Sequence, residues 1–139
     1  MNQSLENQVM REITPLSDKD CFYIGERIKT EFTYPIHHHD EYELNFIEQA
    51  AGVRRVIGDS TEVINDFDLV LITGRDLEHV WEQHECSSKR IHEITIHFSS
   101  QLFNESLLNK NQLESIHKMF EKAKNGLSFP MPAIMKVYS

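Results

Sequence analysis

The sequence predicts a mainly β protein, a sandwich or barrel of short strands that is followed by two or three helices. Between Cys21 and Phe98, apolar and polar residues alternate in short runs, and turn-forming residues separate these runs. After Phe98 the apolar residues recur at helical spacing instead. Many short strands divided by turn signals favour a sandwich or barrel over a fold in which strands and helices alternate.

The strand predictions depend on alternation, because successive side chains of a strand point to opposite faces. Tyr42, Leu44 and Phe46, for example, alternate with polar residues. The predicted strands cover residues 28–32, 42–46, 53–57, 62–64, 69–72 and 94–98. The turns between them are marked by small or polar residues at Gly25, Pro35, Gly52, Gly58-Asp59, Asn65-Asp66 and Gly74.

The helices are predicted from apolar residues that recur every three or four positions. The first is short and carries Leu102, Phe103, Leu107 and Leu108. The second has Leu113, Ile116, Phe120 and Ala123 on one stripe and ends near Asn125-Gly126. Pro132 suits the start of a third, which is cut off after about two turns. We therefore divide the chain into an N-terminal arm (residues 1–20), loose over its first sixteen residues, a barrel (21–100) and a helical region (101–139).

Composition limits the classes of function. The 139 residues carry 14 Lys and Arg against 22 Asp and Glu, a formal net charge of −8. This length fits one domain, and the acidic balance argues against direct binding of DNA or RNA by these residues. The sequence has neither a secretory signal nor a run of about 20 apolar residues that could span a membrane, which predicts a cytoplasmic protein. Cys21 and Cys86 form no C-x-x-C pair, so we expect free thiols.

The most informative residues are histidines and a glutamate that follow Pro35, together with a later histidine. His37, His39 and Glu43 have the same parity, so an extended strand projects all three from one face. With His79 from a neighbouring strand, they supply the nitrogen and carboxylate donors of a first-row transition-metal site.

Alternation fixes which side chains share a face but not which face points inward. If Tyr42 and Leu44 form the buried face, Glu43 faces water and the histidines lie at a polar strand entrance. If Glu43 faces inward, the same residues line either a metal site or a polar pocket without a metal. Trp81 shares the face of His79 and is expected either to pack in the core or to stack on a flat ligand such as a sugar.

The chain resembles the cupin fold in four places: residues 35–44, Gly52, residues 66–72 and residues 78–81. More narrowly, it is similar to the N-terminal cupin domain of AraC-type transcriptional regulators, over residues 22–98 and with helices following in the same order. The resemblance implies an antiparallel barrel of jelly-roll type, a lumen that binds a small effector, and helices that mediate dimerisation. It also implies a C-terminal half that binds DNA through helix-turn-helix motifs, which residues 101–139 do not contain.

The resemblance places the cupin metal ligands on His37, His39, Glu43 and His79, and the same four residues with Trp81 are the candidates for effector binding. It implies a sensor that is not an enzyme and requires no cofactor, with Zn, Ni, Mn or Fe as the ions that the site would hold. The expected partners are a small-molecule effector, for which a sugar is one option, and a second copy of the chain. DNA would be bound only by the missing half, and no membrane is expected. The rival interpretation is a small metal-dependent cupin enzyme, either an oxygenase or an isomerase.

Overall fold

The computed structural model describes residues 9–138, which form two five-stranded sheets and three short helices. The strands are β1 (Met10–Arg11), β2 (Phe22–Lys29), β3 (His37–His38), β4 (Tyr42–Glu48), β5 (Arg54–Ile57), β6 (Ser60–Val63), β7 (Phe67–Ile72), β8 (His79–Glu82), β9 (Ile91–Phe98) and β10 (Leu127–Ser128). The helices are α1 (Glu105–Leu108), α2 (Glu114–Lys122) and α3 (Met131–Tyr138), with 3-10 turns at Asn111–Leu113 and Ala123–Asn125. The predicted class, a mainly β barrel or sandwich with C-terminal helices, is confirmed.

The first sheet has the strand order β1-β3-β8-β5-β6, and the second has the order β10-β7-β4-β9-β2. The pairing of β1 with β3 is parallel and the other ladders are antiparallel. The turn predicted at Gly25 is wrong, because Gly25 lies inside β2 and pairs with Thr95. Pairing with the whole length of β9 keeps this segment extended, and a glycine alone does not interrupt it.

The arm differs from the prediction of a loose segment at residues 10–12; residues 1–8 lie outside the described residues. Met10 and Arg11 pair with His37 and His38. The backbone N–H of Glu12 then donates to the carbonyl of His38 at 2.9 Å. Backbone hydrogen bonds of this kind need no apolar pattern, which explains why no pattern in the sequence predicted them.

The space between the sheets is polar at one end and apolar at the other. Along β4, the inward-facing residues change from Glu43 and Asn45 to Ile47, and all three are buried. The apolar end is filled by Ile47, Ala50, Val53, Ile57, Ile64, Val70, Ile72, Trp81, Cys86 and Ile91. The polar end is therefore left for a site.

The helices cover the outer face of the second sheet. Phe120 of α2 packs against Tyr42 and Leu44, the apolar residues of β4 that point away from the other sheet. The predicted stop at Gly126 is confirmed: this residue has φ of +83°, and a Cβ there would lie 2.7 Å from Ile57 Cγ2. None of the described helices is long and apolar enough to cross a membrane.

Candidate functional site

Strand pairing brings the four predicted ligand residues together at the polar end. His37 on β3 pairs with His79 on β8 in the first sheet, while Glu43 lies on β4 of the facing sheet. One ligand atom of each of His37, His39, Glu43 and His79 lies within 4.8 Å of the others, and all four residues are buried. Of the two orientations that the sequence left open, β4 adopts the one in which Glu43 faces inward.

Backbone carbonyls fix the ring orientation of the three histidines. The Nδ1 atoms of His37, His39 and His79 lie 2.8, 2.9 and 2.8 Å from the carbonyl oxygens of Pro35, Glu41 and Leu77. Because a carbonyl only accepts, each Nδ1 carries the proton and donates it. In the neutral form each Nε2 then presents a bare lone pair to the centre of the cluster, the tautomer that metal-binding histidines commonly have.

The Nε2 atoms lie so close together that their lone pairs need a positive charge between them. His39 Nε2 lies 3.1 Å from His79 Nε2 and 3.0 Å from Glu43 Oε1. Lone pairs facing one another at these distances repel unless a proton or a metal ion lies between them. The cluster is therefore built to hold a cation, either the proton of an imidazolium or a metal.

Electrostatics at Glu43 favour its ionised form despite complete burial. Burial acts to raise the pKa of Glu43, but the side chains of His39, His79 and His97 outweigh it and hold this pKa well below the ordinary value. Burial likewise acts to lower the pKa of His39, and the hydrogen bond and charge of Glu43 reverse the effect, so that this pKa is raised. For His37, burial and the neighbouring His79 lower the pKa.

The donor set fits a first-row transition metal. Bonds of about 2.1 Å from one ion place two of its ligand atoms no more than about 4.2 Å apart. Three separations within the cluster meet this limit: 3.0 Å for His39–Glu43, 3.1 Å for His39–His79 and 3.7 Å for His79–Glu43. Glu43 Oε2 is buried and has no hydrogen-bond partner in the described part of the chain, so it retains a free acceptor. His37, His39, Glu43 and His79 would hold the ion.

Two further residues at the site were not predicted. His97 on β9 pairs with Glu43 on β4, and its Nε2 lies 2.7 Å from Glu43 Oε1. The sequence contained a signal for the face on which His97 lies, because His97 has the parity of Glu93 and alternates with Ile96 and Phe98. Glu12 Oε2 lies 3.8 Å from His37 Nε2 and 3.9 Å from His39 Nε2. Nothing in the sequence around Glu12 indicates this position.

A cavity of about 390 Å³ opens beside the histidines. Its opposite wall is the inner face of β2, where Arg27 and Lys29 lie next to the buried carboxylate of Glu93. Lys29 Nζ is 3.0 Å and Arg27 Nη1 is 4.0 Å from Glu93 Oε1. Phe32 and Tyr34 contribute aromatic surface near these charges. The cavity is therefore lined by two cations, Arg27 and Lys29, by apolar side chains, and by the four carboxylates of Glu12, Glu31, Glu43 and Glu93.

Of the two arrangements predicted for Trp81, the structure shows packing in the core, and stacking on a ligand stays a prediction. It is buried within the apolar core, and it also lines the cavity. Its ring centroid lies 6.2 Å from that of His79, in an edge-on orientation. Only 6% of the residue is exposed, which leaves little of the indole for stacking on a ligand.

These features define a class of protein: a cupin-like β barrel with helices on one face and a small polar cavity between its sheets. No protein-family model matches the chain, and neither does any curated protein. Two solved structures of ToxT from Vibrio cholerae share its fold.

The structure of ToxT in a P21 crystal form matches 86% of this chain and 46% of its own, with a TM-score of 0.51 and 14% identity. The structure of ToxT bound to (E)-4-(8-methylnaphthalen-1-yl)but-3-enoic acid covers the same shares, with a TM-score of 0.50 and 13% identity. The chain thus spans about half the length of ToxT. ToxT is an AraC-family regulator, so the resemblance inferred from the motifs is confirmed at the level of the fold.

Proposed function

We propose that the chain is the small-molecule-sensing domain of an AraC-type transcription regulator and that its effector binds in the cavity between the two sheets. The observation that carries this proposal is the cavity of about 390 Å³, a size typical of small-ligand sites. Polar groups from both sheets line it, the histidines on one side and Arg27, Lys29 and Glu93 on the other, and such groups can fix the orientation of one ligand. The ToxT structure with a bound carboxylic acid supports the same use of the fold.

The effector that best fits the cavity carries an anionic group. Lys29 and Arg27 both pair with Glu93, so two cations lie beside one carboxylate on this wall. This wall, rather than the part of the cavity lined by Glu12, Glu31 and Glu43, is where an anionic group would bind. A carboxylate between the two cations would form charge-assisted hydrogen bonds, with the half-buried Lys29 as the more shielded partner. The apolar part of such a ligand would contact Phe32 and Val80. A sugar is the competing class, because the histidines and Asn45 offer polar partners to hydroxyl groups.

A thermal-shift screen of carboxylic acids and sugars tests this proposal. A ligand at 100 times its dissociation constant adds about 2.7 kcal/mol to the free energy of unfolding, which raises the melting temperature by several degrees. We expect Lys29→Gln to weaken the acidic hits by about tenfold or more, since an ionic hydrogen bond is lost. The matched control is Arg54→Gln, which removes a cation that is paired with Glu82 outside the cavity.

Each outcome of the screen is decisive. Stabilisation by acids that depends on Lys29 supports an anionic effector. Stabilisation by sugars that is indifferent to Lys29→Gln keeps the sensing function and overturns the anionic class. If no compound raises the melting temperature, or if Arg54→Gln weakens the acidic hits as much as Lys29→Gln does, the proposed cavity function is wrong.

DNA binding and dimerisation belong to the same proposal. The net charge of −8 argues against DNA binding by this chain, and the match to 46% of ToxT leaves room for a further domain that binds DNA. We propose that the helical region mediates a homodimer, as the family resemblance implies. Sedimentation equilibrium measures the dimer, and a helix-turn-helix region encoded after Ser139 in the full gene would support the regulator.

The second candidate function is a metal-dependent oxygenase or isomerase. It is favoured by the three histidine Nε2 atoms that converge on Glu43. A bound metal would supply Lewis acidity or activation of oxygen. His37, His39, Glu43 and His79 would bind it, and the backbone carbonyls would hold the imidazoles in the required tautomer. Elemental analysis before and after reconstitution tests this candidate, and a protein that takes up no metal under either condition excludes it.

A further inference from the structure

Glu12 lies outside the set of ligands that the cupin resemblance gives, yet it faces the same cluster. Together with His39, Glu43 and His97 it forms a second group whose ligand atoms lie within 4.8 Å of one another. The two groups share His39 and Glu43. Glu12 is the one member that comes from the N-terminal arm, whereas the others lie in the barrel strands or next to them.

The distances at Glu12 suit coordination of an ion better than a direct hydrogen bond. Its Oε2 is 3.8 Å from His37 Nε2 and 3.9 Å from His39 Nε2. A hydrogen bond between these atoms would need about 3.2 Å or less. Two ligands of one ion lie up to about 4.2 Å apart when each bond is about 2.1 Å. An ion would therefore join Glu12 to histidines that it does not contact directly.

The balance of charge around Glu12 also favours a bound cation. Two carboxylates, Glu12 and Glu43, approach a cluster of imidazoles, and Glu43 is fully buried while Glu12 is largely shielded. Like charges that approach each other in a desolvated place need a cation between them. A divalent transition metal neutralises both carboxylates and uses the free Nε2 lone pairs at the same time.

A bond between Glu12 and a metal ion would strengthen the attachment of the arm to the barrel. Residues 9–16 (the arm segment) are held by two backbone hydrogen bonds to Ile36 and His38, at 3.1 and 2.9 Å, and by an exposed ion pair between Arg11 and Asp40 at 3.0 Å. Thr14 adds a hydrogen bond of 3.3 Å to Glu41. Such a short parallel pairing at a sheet edge has little stability of its own. A metal–carboxylate bond in its middle would be its strongest attachment to the barrel.

We propose that Glu12 is a ligand of a divalent transition-metal ion bound by His39 and Glu43, so that metal binding fastens the arm segment to the barrel. Metal binding and attachment of the arm are then thermodynamically coupled, so that each one stabilises the other. This inference requires a bound metal but does not depend on whether the domain senses an effector.

The first experiment measures binding of Ni²⁺ and Co²⁺ to the full chain by titration calorimetry. We expect Glu12→Gln to weaken both ions by about tenfold or more, and to change the visible absorption spectrum of the Co²⁺ form, which reports its ligands. The matched control is Glu31→Gln, which removes a carboxylate that lines the cavity but belongs to neither ligand group. The metal-free melting temperature of each variant confirms that it is folded.

The second experiment follows the arm segment itself. Trypsin cleaves after Arg11, whose side chain is well exposed, and after Arg90 in a distant surface loop, which serves as the internal reference. We expect Ni²⁺ to slow cleavage after Arg11 relative to Arg90 in the unmodified chain and in Glu31→Gln, but not in Glu12→Gln.

Any one of three results would overturn the inference. The first is that the unmodified chain binds no metal. The second is that Glu12→Gln binds the metal as tightly as the unmodified chain and with the same Co²⁺ spectrum, and the third is that Glu31→Gln loses as much affinity as Glu12→Gln. None of these results bears on the effector screen, so failure of this inference and failure of the sensing proposal are distinguishable.

Discussion

At the scale of single residues, His92 illustrates how a side chain outside the site responds to pH. It lies on the outer face of β9, with Nε2 2.8 Å from Glu26 Oε1 and Nδ1 3.1 Å from Glu48 Oε1. The hydrogen bond to Glu26 is the main cause of a raised His92 pKa, and Glu48 adds to it while burial opposes it. Protonated His92 therefore links β2, β9 and β4 across one face of the second sheet.

This link predicts a pH-dependent difference in stability. Because the folded-state pKa is raised, the contribution of His92 is fully present below its unfolded value of about 6.5 and is lost as pH rises through the folded value. We expect the difference in free energy of unfolding between the unmodified chain and His92→Gln to be larger near pH 6 than near pH 8.5. Urea denaturation at the two pH values measures it. A difference that stays the same at both would refute this role.

At the scale of elements, Phe120 is the one buried residue of α2 within the described helix, and Ile116 and Met119 pack beside it against the sheet. The ring of Phe120 lies 5.3 Å from that of Tyr42 and 5.6 Å from that of Phe103, centroid to centroid. Thr73 Oγ1 donates a hydrogen bond of 2.6 Å to the carbonyl of Phe120. The helical period predicted the stripe to which Phe120 belongs, but not the outer face of the sheet that it covers.

Truncation of this side chain measures the attachment. We expect Phe120→Ala to lower the free energy of unfolding by about 3 kcal/mol or more, through lost burial and the cavity left behind. Lys118→Ala is the control, because Lys118 lies on the solvent side of the same helix and its replacement should cost less than about 0.5 kcal/mol. Denaturant titration compares them. Equal losses would mean that α2 is not held by its apolar stripe.

At the scale of the whole molecule, a buried ion pair connects the two sheets. Arg55 on β5 of the first sheet donates to Asp68 on β7 of the second, and also to Glu62 at 2.7 Å. Burial raises the pKa of Asp68, and the hydrogen bond from Arg55 opposes this without reversing it. The pair lies beside the apolar end of the core, where an isolated charge would be costly.

Replacing one partner of the Arg55–Asp68 pair should therefore destabilise the fold more than replacing both. We expect Arg55→Ala to destabilise the fold by about 3–5 kcal/mol, because Asp68 keeps a buried and unpaired charge, and Arg55→Met with Asp68→Leu to cost much less. For Arg55→Ala the loss should be smaller near pH 5 than near pH 7.5, because the pKa of Asp68 is already raised and protonation removes its charge. Urea unfolding of the three proteins tests this, and a double variant as unstable as the single one would contradict it.

The sequence by itself determined the mainly β class, the sets of side chains that share a face and the stop at Gly126, and it predicted the four candidate ligands at residues 37, 39, 43 and 79. Only the tertiary structure decided that Glu43 points inward and that His97 and Glu12 meet it. The reason is physical. Alternation and helical period are local properties of the backbone, whereas pairing joins segments far apart in the chain: Glu43 and His97 are 54 residues apart. Local pattern cannot give that register, because many registers satisfy the same alternation.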